Sequence, residues 1–423
     1  MMNSCVETHT VVSLECRGAA SPGSTQGQKG SHLMSTMING IPIIDTDTHV
    51  VEPPDLWTSR VSSKWGDLVP HVEWDDDKQE EAWFTGRTRL GAVGAPAMAG
   101  WHEHPPFHPR RFDETDPISW DATRRAALMD TYGVKAQILY PNVAVFDAKS
   151  IVGMGDTALQ LACIEAYNDF LVDFGNEAPG RFIAVSGLPF WDLTATLAEI
   201  ERCAANGHKG IVFTQDPSYF GLPQLTDRYW DPMWASAQEK GLPVNFHIAS
   251  GDLDLFNVGH PDNGIHANYA AMGVSFFMAN ARTVAQLITG GICHRFPELN
   301  FVSVESGIGW IPFALEALDW QWRNCGVHKE HPEYDLLPSE YFRRQIYGCF
   351  WFERDSALAA LDQIGADNIL YETDFPHPTS MSPGPASDAQ RPDEYLRDVF
   401  SGVDVDSLHK ILHDNAARIY HLD

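Results

Sequence analysis

The sequence predicts an α/β fold, a (β/α)8 TIM-like barrel, on three observations: eight short β-branched runs, helical patterns between them, and a length that one large core absorbs. The chain has 423 residues, 44% of them hydrophobic, which suffices for such a core. The runs read as strands begin with PIID at 42–45, AQILYP at 136–141, RFIAVSGLP at 181–189 and GIVFT at 210–214. They continue with PVNFHIA at 243–249, LNFVSVES at 299–306, QIYGCFWFE at 345–353 and NILYETD at 368–374. Between them lie segments with apolar faces at helical spacing, among them ATRRAALMDTYG (122–133), LTATLAEIERCAANG (193–207) and TVAQLITGGICHRFP (283–297). Several carry a closing Gly, which reaches the left-handed conformation that ends a helix.

The largest interruption, residues 53–120, follows the first strand. VEWDDDKQEEAWFTGRTRLGAVG in it reads as a small β-hairpin, and GWHEHPPFHPRRFDETDP is too rich in Pro and His for a regular element. An insertion at a strand's C-terminal end hangs over the mouth of a barrel, so a lid is expected. Residues 1–38 are rich in Ser and Gly without periodicity and read as a disordered lead-in, leaving 39–423 as one domain.

Charge narrows the partners. A formal net charge of −28 opposes nucleic-acid phosphates and anionic lipid surfaces, while leaving room for a small anion held by a local Arg or a metal. Seven scattered cysteines without C-x-x-C spacing indicate neither a disulfide framework nor a thiolate metal site, and a cytoplasmic location is expected. No apolar run has the length to cross a bilayer, and 1–38 lacks the apolar block of a secretory signal.

The chemistry sits where strands end. The first run closes in Asp45, Asp47 and His49, which share one face if the strand continues through them. Two other strands end in metal-competent residues, His247 and Asp374, and a fourth offers Glu305. A single Asp-x-His is weak, since Asp often ends strands and His is common in turns. Recurrence at several strand ends of one barrel mouth is stronger, because buried charges there are costly unless paired or metal-bound. Asp47, His49, His247 and Asp374 are the expected ligands of one divalent ion, Zn²⁺, Mn²⁺ or Fe²⁺.

Other residues are weaker candidates. His377 either orients Asp374, donates to substrate or caps its loop; Glu52 reads more simply as a solvated loop residue. His102, His104 and His108 offer an auxiliary metal site as one reading, but their spacing fits no helix face and they are expected to line the lid. Arg110, Arg111 or Arg323 offers a bidentate fork for a substrate carboxylate, against the default of a surface Arg. The stripe WIPFALEALDWQW (310–322) faces the core or a second subunit.

IIDTDTHVVEPPDLW, LMDTYGVKAQILYP, VNFHIAS, VESGIGWIP, YETDFPHP and the closing ILHDNAARIYHLD together resemble the amidohydrolase superfamily, in the branch of aminocarboxymuconate-semialdehyde decarboxylase. The resemblance runs from about residue 41 to the C-terminus. It implies a distorted barrel with one metal, Asp47 and His49 coming from the first strand, His247 from the fifth and Asp374 from the eighth, and a symmetric homodimer. Many relatives carry His-x-His or Glu-x-His on the first strand; Asp-x-His here substitutes a harder ligand and tilts the metal toward Mn²⁺ or Fe²⁺. On the sixth strand Glu305 stands where relatives usually have His, and the fourth strand lacks the lysine that bridges two metals in binuclear relatives.

The resemblance implies a metal-dependent, non-oxidative decarboxylase of a small, aromatic or unsaturated carboxylic acid, with Asp374 giving a proton to the carbon that loses CO₂ and no organic cofactor. The alternative is a hydrolase of an amide, lactone or C–C bond, in which metal-activated water attacks and Asp374 or Glu305 is the base. A catalytically inactive binding protein is the third reading.

Overall fold

Each of the eight apolar runs becomes a strand in the computed structural model of the protein, which describes residues 38–143, 151–251 and 259–422. The lead-in assigned to 1–38 lies, apart from Ile38, outside the described residues. β1 (Ile43–His49) is followed by three antiparallel strands of the insertion, β2 (His71–Asp75), β3 (Glu80–Thr85) and β4 (Thr88–Ala92). The chain then returns to parallel strands: β5 (Val134–Tyr140), β6 (Phe182–Ala184), β7 (Ile211–Val212), β8 (Val244–His247), β9 (Phe301–Val304), β10 (Ile346–Phe350) and β11 (Ile369–Tyr371).

The parallel strands form a three-stranded sheet, β1-β5-β6, and a five-stranded one, β11-β10-β9-β8-β7. Single bridges join them at both edges. At one edge Ser186, just past β6, bridges Ile211, with Val212 donating to the Ser186 carbonyl at 2.9 Å. At the other Thr48 bridges Phe375, with His49 donating to the Phe375 carbonyl at 2.7 Å and Asp374 to that of Asp47 at 3.0 Å.

Side chains from both sheets meet in one buried cluster that includes Ile44, Ile138, Val185, Val212, Val302, Tyr347 and Leu370. Ala416, Ile419 and Tyr420 of the last helix pack against it. Strands buried on both faces explain why the runs are continuously apolar rather than alternating, and each aliphatic side chain so buried contributes about 1.5–3 kcal/mol.

Helices between strands start where an Asp accepts from the first-turn N–H groups: Asp121 for Ala122–Tyr132, Asp156 for Thr157–Glu177, Asp192 for Leu193–Ala205. The helix expected at 283–297 differs. It begins at Ile265 and ends at Thr289; Gly291, at φ 69°, breaks it, and Ile292–Arg295 is a separate turn.

The insertion holds a three-stranded meander rather than one hairpin. Asp75 accepts from the N–H groups of Asp77 and Lys78 in the first turn, and Gly86, at φ 54°, makes the second. Trp83 of β3 is buried edge-on against Trp57. Beyond the meander, Met98 and Ala99 donate to the Pro376 carbonyl at 2.8 and 3.1 Å, which fastens the insertion to the loop after β11.

Candidate active site

The last residues of β1 are buried throughout, but strict alternation does not run through them, and Asp45 does not share the face of Asp47 and His49. The pairing of β1 with β5 slips between Asp45 and Thr48, and a bulge redirects side chains. The Asp45 carboxylate accepts from the Thr373 N–H at 2.9 Å, the Thr373 hydroxyl at 2.6 Å and Gln137 Nε2 at 3.1 Å. It ties β1 to β5 and to the segment just after β11, and leaves Asp47 and His49 to face the candidate site.

There Asp47, His49, His247, Glu305, Asp374 and His377 converge. Nε2 of His49 lies 3.5 Å from both Asp47 Oδ1 and Asp374 Oδ1, and Nε2 of His247 lies 3.5 Å from Asp47 Oδ2 and 3.4 Å from Glu305 Oε2. His377 Nδ1 is 2.9 Å from Asp374 Oδ1, and its ring stacks on that of His49 at 3.6 Å. Donor atoms of Asp47–His49–His247, of His49–Asp374–His377 and of Asp47–Glu305–Asp374 each lie within 4.8 Å of one another.

Two features show that this donor set suits a cation. Nδ1 of His49 lies 3.1 Å from the Pro141 carbonyl and Nδ1 of His247 lies 2.9 Å from that of Ile248. Carbonyls only accept, so each neutral ring carries its hydrogen on Nδ1 and turns an Nε2 lone pair inward, toward the other Nε2 at 3.2 Å. Among the described residues, moreover, none of the four carboxylate oxygens of Asp47 and Asp374 accepts a hydrogen bond, though all are buried. Orphaned buried acceptors beside inward lone pairs are the donor set of a metal site.

The electrostatics agree. Burial, together with the neighbouring His377 and His247, holds the His49 imidazole well below its usual pKa. Burial and Asp47 hold Asp374 well above the carboxylate range, and burial with Asp374 does the same to Glu305. Burial and Asp47 likewise raise Glu372, whose Oε2 accepts from the Glu305 N–H at 3.1 Å. For His247 burial acts downward, but Asp47 and Glu305 outweigh it and the pKa is raised. A set of carboxylates that disfavour one another's charge gains from a divalent ion. The backbone is also held in an uncommon conformation: Ala249, Glu305 and Asp374, just past β8, β9 and β11, have φ of 61°, 55° and 57°.

A cavity of about 370 Å³ opens onto this cluster, lined by His247, Glu305 and His377 and walled mainly by apolar side chains. Tyr269, Met272 and Phe276 come from the Ile265–Thr289 helix, and Leu90, Ala92 and Pro96 from the insertion.

The profile of one protein family, Amidohydrolase, matches residues 44–422. The chain belongs to the amidohydrolase family. Gamma-resorcylate decarboxylase of Polaromonas sp. is 26% identical over 70% of this chain and 86% of its own length. The crystal structure of an amidohydrolase from Mycobacterium avium subsp. paratuberculosis superposes with a TM-score of 0.70 at 22% identity, over 90% of this chain and 99% of the other. A dihydroxybenzoic acid decarboxylase from Polaromonas sp. JS666, solved with manganese and 2-nitroresorcinol, gives a TM-score of 0.59 at 20% identity, over 90% and 97%.

In this amidohydrolase, the six residues expected to carry chemistry are therefore brought together, whereas the other candidates are not. His102 and His104 are exposed; His108 bonds Glu80 at 3.0 Å. Arg110 also pairs with Glu80, Arg111 lies over the Trp74 ring, and Arg323 is exposed beside Asp319. Glu52 corrects the solvated-loop reading: it is buried and accepts from the N–H groups of Asn142 and Val143. Sequence inspection misses Asn142, whose Oδ1 lies 2.6 Å from His377 Nε2, although its place directly after a strand end is a usable signal. It also misses Arg125, buried one helix away. That guanidinium donates to the His49 carbonyl and to Gln137, and lies 4.7 Å from the centre of the Phe375 ring. Burial, against the pull of Asp45, lowers its pKa to about 9.

Proposed function

We propose that this amidohydrolase is a metal-dependent, non-oxidative decarboxylase of a small aromatic or unsaturated carboxylic acid. The observation that carries it is the set of orphaned Asp47 and Asp374 oxygens facing two imidazole lone pairs at the floor of a mainly apolar cavity. The decarboxylases among its relatives, one of them solved with manganese, support the same reading.

Asp47, His49, His247 and Asp374 would hold one Mn²⁺, Fe²⁺ or Zn²⁺. When bound, the ion supplies the positive charge that draws a carboxylate and an adjacent oxygen to the floor and offsets charge developing there. Tyr269, Met272 and Phe276 pack the flat body of the substrate and exclude water. Asp374, in its acid form, gives its proton to the carbon bearing the carboxylate; the bond to that carboxylate then breaks, its electron pair stays with the carbon, and CO₂ leaves. Burial and Asp47 favour the acid form of Asp374, and a bound cation works against them. His377 orients the Asp374 carboxyl, and Glu305 accepts from groups presented near His247.

The bridges at both sheet edges support a closed (β/α)8 barrel over residues 39–423, and the insertion residues on the cavity wall support a lid within 53–120. The exposed Phe313 and Trp320 on the Ile311–Cys325 helix support a homodimer, which sedimentation tests. The free thiols of Cys163, Cys203, Cys293, Cys325 and Cys349 support a cytoplasmic location.

The experiment offers 2,6-dihydroxybenzoate and other ortho-hydroxybenzoates to the Mn²⁺-loaded chain in heavy water. CO₂ release with one deuterium at the vacated carbon is expected. Oxygen-18 from water in a product acid, without CO₂, overturns decarboxylation and selects hydrolysis with Glu305 as base.

A further inference from the structure

Asn142 stands after β5 and reaches the edge of the His377 ring. Hydrogen-bond polarity fixes its amide: Nδ2 lies 2.7 Å from the Val50 carbonyl, which can only accept, and 3.3 Å from Glu52 Oε2. The amide oxygen therefore faces His377 Nε2 at 2.6 Å, and an oxygen without a hydrogen requires that Nε2 carry one. Glu52 holds this arrangement from below. It is 1% exposed, and its Oε1 accepts from the main-chain N–H groups of Asn142 and Val143 at 2.9 and 3.0 Å. Stacking on His49, at an interplanar angle of 18°, sets the ring plane. The remaining nitrogen of His377, Nδ1, is the one 2.9 Å from Asp374 Oδ1.

We propose that Glu52 and Asn142 are positioning residues for the reaction at Asp374, holding His377 as its Nε2–H tautomer so that an Nδ1 lone pair, and not an N–H, meets the Asp374 carboxyl. The order runs from a carbonyl that cannot donate, through an amide that can be placed only one way, to the ring that touches the reacting acid. Each member of the chain fixes the direction of the next hydrogen bond. Without Asn142 the ring can take the opposite tautomer, which turns an N–H toward Asp374. Glu52 touches neither substrate nor metal ligand; it acts by keeping the Asn142 segment in place.

The inference rests on the decarboxylase reading for its kinetic arm only. Its spectroscopic arm uses the full chain with nitrogen-15 histidine, both metal-free and loaded with diamagnetic Zn²⁺, and assigns His377 by the signal lost in His377→Gln. Long-range proton–nitrogen spectra are expected to show Nε2–H for His377 in the wild type and a shift toward Nδ1–H in Asn142→Leu, or in Asn142→Ala should leucine prevent folding. On the Mn²⁺ enzyme, Asn142→Leu is expected to lower kcat about tenfold or more while KM stays within about threefold. Glu52→Gln keeps an oxygen for the two N–H groups and is expected to lose less kcat than Glu52→Ala.

An Nδ1–H tautomer in the wild type overturns the proposal whatever the variants do. So does an unchanged tautomer in Asn142→Leu, or a loss confined to KM. A wild-type chain that turns over no acid yet shows the Nε2–H pattern and its shift sinks the decarboxylase reading and upholds the positioning.

Discussion

Glu80, on β3 of the insertion, and Asp47, near the end of β1, are both buried carboxylates. Around Glu80 the chain provides its own cations: Arg89 pairs with Oε1, while Arg110 and His108 lie 2.9 and 3.0 Å from Oε2. Around Asp47 it provides imidazoles with inward lone pairs, more carboxylates, and no hydrogen-bond donor among the described residues. Desolvating a charge costs several kcal/mol unless it is paired. The first cluster meets that cost internally, so it stabilises the insertion. The second does not, which marks it as a candidate site.

The largest effect should fall on turnover. Asp374→Asn is expected to lower decarboxylation at least about a thousandfold, because it removes the acid, and His247→Ala to abolish metal retention with activity. Metal content by mass spectrometry beside rates checks both; full activity in Asp374→Asn would break the contrast.

Metal removal comes next. A chelator should lower the unfolding free energy, and Mn²⁺ at a hundredfold excess over its Kd should return about 2.7 kcal/mol. In the metal-free chain Asp47→Asn should be neutral or stabilising, since the buried oxygens it alters accept no hydrogen bond among the described residues. Glu80→Ala should instead cost about 1–3 kcal/mol with metal content unchanged, because it strands the cations around it. Urea titrations of the two variants side by side sharpen the comparison, and equal signs would defeat it.

A further effect concerns pH. Burial pushes Asp45 from its ordinary 3.8 up to about 7, against its hydrogen bonds to Thr373 and Gln137. A raised folded-state pKa stabilises below the ordinary value and that contribution is lost as pH rises through 7. The slope is about 1.4 kcal/mol per pH unit between those limits. Unfolding midpoints of the metal-free chain at pH 5, 6, 7 and 8 should therefore fall more steeply in the wild type than in Asp45→Asn.

The strands were legible because parallel strands buried on both faces must be apolar throughout, a signal confined to a few adjacent residues. The convergence of the candidate residues was legible for a related reason: parallel strands place their C-terminal ends on one side, so Asp47, His49, His247 and Asp374, with Glu305 beside them, could be read as neighbours without contact information. The remainder was not. Glu52 looked like any loop acid, but Asn142 and Val143, 90 and 91 positions away, supply the donors that accompany its burial. Asp45 was read as sharing a face with Asp47 and His49, but the register of β1 slips after it and Thr373, 328 positions away, takes its carboxylate.

Local physics thus set what each segment of this chain could become: where strands form and which of them end in metal-competent groups. Closure of the tertiary structure decided which buried carboxylate meets a cation of the chain and which faces a cavity. It also decided which nitrogen of His377 points at Asp374. The physical reason is that a hydrogen bond or ion pair depends on both partners, and the partners that settle Asp45, Glu52 and His377 arrive from distant segments.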